Sequence, residues 1–487
     1  MHLGIDLGTS AVKAVLTAMD DALLAQASAP VPSSFPHPLW SEQDPEDWWR
    51  ATGQALAALG TSLAGVRAIG LSGQMHGAVL LDGADRVLRP AILWNDGRCA
   101  AECAVLEQQG VRAATGNLAM PGFTAPKLLW VRAHEPTIFA ATRRVLLPKD
   151  WLRLRMAGEA ITDLSDAAGT LWLDVGARRW SEAMLAATGL SPAHMPALVE
   201  GTAPAGRLRA EVAAAWGLPP GIPIAGGAGD QAAGAAALGC VRPGQGFVAL
   251  GTSAVLFVCD AGFLPDPDRT VHAFCHCVPD VWHRMTVSLS GASALAWITR
   301  ATGAPGEAAL LAEMEASREA PPVFLPHLTG ERTPHNDPGA EAAFVGLRAA
   351  HGRGDLARAV LEGVAFTLAE GLEVLAARGA PVALLVAIGG GARSPAWMRL
   401  VAAALDLPVA TVHGGEVGSA LGAARLARVA AGDGTAAEVF TPLPVAAVHE
   451  PDPALQAALA PRRAVHRALY AALRPLRPAP PDTLAGT

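Results

Sequence analysis

Two aspartates stand where a carboxylate could do chemistry. Asp6 closes the apolar run Leu3-Gly-Ile-Asp6, directly before Gly8-Thr9-Ser10. A carboxylate on a buried strand is costly without a partner, and beside a phosphate-gripping turn it suits a hydrated magnesium ion. A capped turn is the alternative. Asp230 stands in Gly226-Gly-Ala-Gly-Asp230-Gln231, after a short apolar stretch at 222–225 and before a small-residue helix. In that setting a carboxylate can accept the proton of a substrate hydroxyl, although a helix N-cap looks the same in sequence.

Strand–Gly-Thr-Ser–strand is such a turn, because glycine admits an anion to the backbone while amides and hydroxyls supply donors. No Lys-Ser/Thr follows the glycine and no helix opens there, so it is not a P-loop. The turn occurs twice. Leu-Gly-Thr-Ser-Ala-Val fills residues 7–12 and again 250–255, giving a second Gly251-Thr252-Ser253 with Ala249 in the place of Asp6. A repeat half a chain apart implies two similar lobes. Each would offer one hairpin to the phosphates of a nucleotide held between them, with a carboxylate on one side only. Of 37 basic residues only Lys13, Lys127 and Lys149 are lysines, a bias that would keep a compact ammonium where a planar guanidinium does not serve; surface chance is the equal alternative. Lys13, just past the first turn, joins the nucleotide set. So does Gly389-Gly390-Gly391-Ala392, a glycine run after a strand against which a flat nucleoside could lie.

A second ligand is suggested by two polar segments of the first half, Gly73-Gln74-Met75-His76 and Trp94-Asn95-Asp96-Gly97-Arg98. Amides, a carboxylate, an imidazole and an indole face offer the paired donors, acceptors and apolar wall that a polyhydroxylated ligand needs. A lone core histidine is the bland reading of His76. The six cysteines include Cys275-His276-Cys277 after His272, but no second ligand pair follows at zinc-site spacing. That stretch is expected to be a half-buried strand, and no structural metal is assigned.

These residues need elements to hold them. Strands are expected at 3–7, 11–17, 22–31, 66–72, 78–81, 145–147, 246–250, 254–259 and 384–388, with an extended segment at 87–94. Helices are expected at 97–109, 124–135, 355–377, 394–405 and 417–430, and from Asp44-Pro45 to about 63, with Asp44 as N-cap. Strands followed by helices at this density indicate an α/β protein. At 487 residues, 51% hydrophobic and 17% charged, the chain fills two or three domain cores. The net charge of -7 gives no footprint for nucleic acid. No apolar run is long enough for a membrane span, and the N-terminus has no basic start or cleavage site, so a cytoplasmic protein is expected.

Taken together, the motifs resemble the FGGY family of carbohydrate kinases, and within it the bacterial xylulokinases. The likeness runs from Gly4-Ile-Asp-Leu-Gly-Thr9 to Gly418-Ser-Ala-Leu-Gly-Ala-Ala-Arg425. It includes Pro38-Leu-Trp-Ser-Glu-Gln-Asp-Pro45, Asp163-Leu-Ser-Asp-Ala-Ala-Gly-Thr170, Gly330-Glu-Arg-Thr-Pro-His-Asn336 and the stretches 73–77, 92–98, 121–130 and 389–394. The resemblance implies two actin-like (ribonuclease H-like) ATPase lobes around a cleft, and transfer of the ATP γ-phosphoryl group to a sugar hydroxyl with magnesium. Asp230 matches the general base, Asp6 the metal-site carboxylate and Met75-His76 the sugar contact. Glycerol kinases carry an Arg-Glu pair where this chain has Met75-His76, which argues against glycerol. Gln231 stands where some relatives have Asn, and Ala133 where a polar residue is usual. The expected division is a sugar-binding and catalytic lobe over 1–240, a nucleotide-binding lobe over 241–476 and a disordered tail over 477–487. The Gly- and Ala-rich 226–246 would be the hinge. The implied partners are a small sugar and ATP, with room for a homodimer. A kinase of ribulose or xylitol, or a sugar sensor without catalysis, stays open at this point.

Overall fold

In the computed structural model, which describes residues 1–477, the first Gly-Thr-Ser turn joins the strands His2–Leu7 and Ala11–Thr17. Leu3, Ile5 and Leu7 share one buried face with Val12, Ala14 and Leu16. The helix Pro45–Ala58 joins the same core through Trp48, Ala51 and Ala55. Asp44 caps it, accepting from Glu46 N at 3.0 Å, with Pro45 in the first turn. The helix stops short of 63 because Gly60 takes φ +65°, a left-handed stop.

The first sheet runs Pro204–Arg207, Pro223–Ala225, Ala68–Gly73, His2–Leu7, Ala11–Thr17, Leu23–Pro30. Ala228–Gly229 pairs with the far end of Ala68–Gly73. The second runs His272–Cys275, Trp282–Ser288, Ala254–Asp260, Gly246–Leu250, Leu385–Ile388, Val409–Val412, Val445–His449. In each, an antiparallel hairpin comes first and a later strand joins its opening strand in parallel. The helices Arg353–Ala376 and Pro395–Leu405 enclose the second core with Val360, Val364, Leu368 and Trp397. This is the two-lobed actin-like α/β architecture that the resemblance implies.

The repeated hexapeptide does not repeat its turn. Leu7 faces Val12, leaving Gly8 to Ala11 as the loop, whereas Leu250 faces Ala254 and only Gly251 to Ser253 remain. Gly8 N closes the first turn on Ala11 O at 3.0 Å. In the second, Gly251 O and Thr252 O instead accept from Ala292 N at 2.6 Å and Gly291 N at 2.9 Å, at the start of the helix Ala292–Ala301. A one-residue difference in register exchanges the faces of a strand. It sets Lys13 opposite Asp6 in the first hairpin and Val255 opposite Ala249 in the second.

Several expectations are corrected. The stretch 226–246 is no flexible linker: it contains the helix Asp230–Leu238, crossed by Ser419–Ala430 from the second half. A Cβ on Gly422 would overlap Ala233 O, and Cβ atoms on Gly4 and Gly70 would overlap Ala420 O and Ala423 O. Small residues here allow close approach, not freedom. Ser419–Ala430 thus lies on the first sheet, while Ala235 and Leu238 share a core with Phe247 and Phe257 of the second. The strand His272–Cys275 is buried along its whole length, because Phe274 packs in a core shared with Met75 and Phe123. Within 87–94 only Ala91–Ile92 is strand. Of the expected tail, Arg477 is ion-paired with Asp337, and the rest lies outside the described residues.

Candidate active site

His2–Leu7, Ala68–Gly73 and Ala228–Gly229 run parallel, with Asp6 beside Ser72 and Ser72 beside Ala228. Their C-terminal ends therefore deliver Gly8-Thr9-Ser10, Gln74-Met75-His76 and Asp230 to one edge, where open α/β sheets gather ligands. Asp230 begins its helix with Gly229 as N-cap, so the N-cap alternative is displaced by one residue. Burial, then the neighbouring Asp6 charge, raises the Asp230 carboxyl to about 7. Burial also pushes Asp6 up against the pull of Ser72 and Lys13. Asp6 Oδ1 is buried with no hydrogen-bond partner. Two close carboxylates, one with an orphaned oxygen, form a site short of positive charge.

His76 takes φ +70°, rare for a residue with a side chain. Its carbonyl is held by Thr124 Oγ1 at 3.1 Å and Lys127 Nζ at 3.3 Å. Its Nδ1 lies 2.7 Å from Gly169 O, an atom that can only accept, so Nδ1 carries the proton and Nε2 is left as acceptor. Burial, against the Gly169 bond but helped by the Lys127 and Arg332 charges, lowers this imidazole to about 3. Met75 packs so tightly on Gly229 that a Cβ there would meet its Sδ at 2.8 Å.

Around His76 are groups that sequence reasoning missed. Phe123 lies at 4.7 Å and Phe274 at 6.3 Å, ring to ring, with His272 5.5 Å from Phe123. Arg332 bears on both imidazoles, and its carbonyl is tied to Thr270 Oγ1 at 3.1 Å. The second lobe thus packs around His76, a long-range contact with no local signal. Trp94 and Asn95 are exposed at the rim, and Trp94 Nε1 donates to Thr9 Oγ1 at 2.9 Å.

Two of the predicted contact residues are bonded within the protein. Gln74 accepts from Thr9 Oγ1 at 3.1 Å and donates to Gln43 Oε1 at 2.9 Å, so its amide joins the first hairpin turn to the end of the strand Ala68–Gly73. Asp96 is spent inside the lobe on Ser41 N at 2.6 Å and Arg98 Nη2 at 2.7 Å, with its side chain 0% exposed. Arg98 in turn lies 3.7 Å over the Trp40 ring.

On the second lobe, Gly251, Thr252, Ser293, Gly390, Gly391 and Arg393 line a cleft of about 570 Å³. Gly389 takes φ +90°, and a Cβ there would meet Leu250 O at 2.7 Å, so the glycine run crosses directly over the hairpin strand. Ala392 packs against the second core, and the Ser253 carbonyl lies close to Gly291. A smaller cavity of about 110 Å³ lies between the lobes, lined by Asp230, Gln231, Ala249, Gly414, Gly415 and Ser419. Lys13 Nζ reaches across to Glu416 O at 3.1 Å.

Residues 1–239 match the N-terminal domain of the FGGY family of carbohydrate kinases, and residues 246–431 its C-terminal domain. The chain is 52% identical to the xylulose kinase of Escherichia coli (strain K12), over 98% of this chain and 100% of that one. It superposes with a TM-score of 0.95 on a xyloylose kinase from Brucella ovis, at 49% identity over 98% and 100% of the two chains. With the xylulose kinase from Rhodospirillum rubrum the TM-score is 0.91, at 32% identity over 98% and 99%. Sheet order, strand-end site and sequence likeness agree: this chain belongs to the FGGY family of carbohydrate kinases.

Proposed function

We propose that this kinase transfers the γ-phosphoryl group of ATP to the C5 hydroxyl of D-xylulose, giving D-xylulose 5-phosphate. The observation that carries the reading is the meeting of Asp6, the Gly8-Thr9-Ser10 turn, Met75-His76 and Asp230 at one sheet edge. Identity to xylulose kinases over nearly the whole chain supports the choice of sugar.

In this reading the sugar lies against Met75 and His76, whose Nε2 accepts a hydroxyl proton in a hydrogen bond. Asp230 accepts the proton of the attacking hydroxyl, and a carboxylate raised to about 7 is poised for that near neutrality. The two Gly-Thr-Ser turns hold the phosphates from opposite lobes, and the Gly390-Gly391 cleft takes the nucleoside. Magnesium fits the orphaned Asp6 Oδ1 and the charge-poor carboxylate pair. When bound, the ion neutralises the β- and γ-phosphate oxygens. The rest of the rate comes from aligning hydroxyl and phosphoryl group and excluding water.

A coupled ADP-release assay with D-xylulose, ribulose, xylitol and glycerol tests the reading. The highest kcat/KM is expected for D-xylulose; a higher value for another acceptor would replace it as the substrate.

A further inference from the structure

Behind the Asp230 end of the first sheet lies a charge cluster closed to solvent. Lys149 Nζ is 2.6 Å from Asp150 Oδ1, 2.8 Å from Asp163 Oδ1 and 3.1 Å from Asp166 Oδ2, and all four side chains are 0% exposed. Arg153, equally buried, stands 4.0 Å from Asp150. Three carboxylates thus face two cations. Burial opposes the Lys149 charge, yet the three carboxylates overcome it and hold the ammonium above lysine's usual range. Well-packed apolar residues would often serve stability as well as such a cluster, so its contacts with the rest of the lobe become the question.

Its outward contacts lead toward the site. Arg153 donates to Ala225 O at 2.9 Å and Gly226 O at 2.5 Å. Lys149 packs under Gly73, where a Cβ would meet its own Cβ at 3.1 Å. Asp163 Oδ2 accepts from Ser165 N at 2.8 Å and from the Ser165 hydroxyl. Because that hydroxyl proton is committed to Asp163, Ser165 Oγ turns a lone pair to Gly229 N at 3.2 Å. Gly229 is the residue before Asp230, at the end of the Ala228–Gly229 strand that pairs with Ser72 and Gly73. The chain of contacts is Lys149 to Asp163 to Ser165 to Gly229 to Asp230.

We propose that Ser165, set by the buried Lys149–Asp163 pair, is a positioning residue that aims the Asp230 carboxylate by fixing Gly229. The inference rests on the reading of Asp230 as base. It assigns a use to the Asp163-Leu-Ser-Asp motif. Displacing a reacting group by a fraction of an ångström lowers the chemical step while leaving ground-state binding nearly intact.

The experiment compares Ser165→Ala and Ser165→Thr with the unaltered enzyme, each also made in an Asp230→Asn background. Ser165→Ala should lower kcat about 10-fold with both KM values within about twofold, and Ser165→Thr, which keeps the hydroxyl, should recover most of the loss. In the Asp230→Asn background the alanine should cost nothing further, since nothing is left to aim. A purely structural serine would lower the melting temperature and leave kcat at 25 °C within twofold, which overturns the proposal. Equal kcat losses in both backgrounds overturn it too, because Ser165 would then act elsewhere. A wild-type kcat in Asp230→Asn alone would instead remove the base reading, whatever Ser165 does.

Discussion

Asparagine at position 230 keeps the size of aspartate and much of its hydrogen bonding but cannot take a proton at neutral pH. Asp230→Asn should therefore lower kcat by about 10²–10⁴-fold, the usual worth of general-base catalysis, while calorimetry still finds sugar and nucleotide binding. His76 stands differently. Its neutral ring offers only Nε2 to a ligand, and its backbone is pinned by Thr124 and Lys127, so it suits recognition better than proton transfer. His76→Ala should raise KM for D-xylulose at least about 10-fold and leave that for ATP within twofold. A loss confined to kcat would refute the assignment. At this scale a charged residue in an apolar or glycine-rich setting was legible as a candidate, and the fold brings two such candidates, Asp6 and Asp230, to one sheet edge. The sequence says less at Gln74 and Asp96, because residue type shows what a side chain can bond and not what already bonds it. Their partners Gln43, Ser41 and Arg98 decide the matter.

Gly70 shows how an element is placed by what a residue lacks. A Cβ there would overlap Ala423 O, a backbone atom of Ser419–Ala430 that cannot swing aside as a side chain would. Gly70→Ala should push this helix off the sheet and destabilise the protein by about 1–3 kcal/mol, the usual cost of overpacking. Calorimetric melting would show it against Gly262→Ala, where nothing lies within 4 Å and no shift is expected. Local signals made much of this architecture legible. Short apolar runs beside the Gly-Thr-Ser turns marked Ala11–Thr17 and Gly246–Leu250, and Asp44-Pro45 and Ser394-Pro395 marked two helix starts. Two things were not legible. The hexapeptide could not announce its two turns, because the second is set by hydrogen bonds from Gly291 and Ala292, far along the chain. Nor could the small residues of 226–246 announce a tight helix crossing, since the same composition serves a flexible hinge. The amphipathic Pro453–Leu473 went unforeseen, as Pro461 inside it argues locally against a helix.

The two lobes meet through aromatic rings and histidines, and acid is expected to lower the stability of the whole molecule through them. His76 comes from the first lobe and His272, His276 and His283 from the second. Rings link them: His76 to Phe123 at 4.7 Å, Phe123 to His272 at 5.5 Å, Phe274 to His283 at 5.7 Å and His276 to His283 at 5.9 Å. Burial lowers all four imidazoles, His76 to about 3, His276 to about 4 and the other two well below the usual value. In the unfolded chain each titrates near its ordinary value of about 6.5. Above that pH neither state holds the proton, and these groups leave stability unchanged. As the pH falls below it, the unfolded chain binds protons that the folded one refuses, and stability drops until the folded imidazoles titrate in turn. Each histidine contributes a slope of up to about 1.4 kcal/mol per pH unit within that window. His283 isolates the effect, because neither of its nitrogens has a partner and its ring stacks on Phe257 at 4.3 Å. His283→Phe keeps the stacking and removes the proton site. Between pH 7.5 and 5 its melting temperature should fall less than that of the unaltered protein, while the two differ little in slope above pH 7. Parallel curves across the whole range would show that protonation of this shared core does not drive the loss of stability in acid.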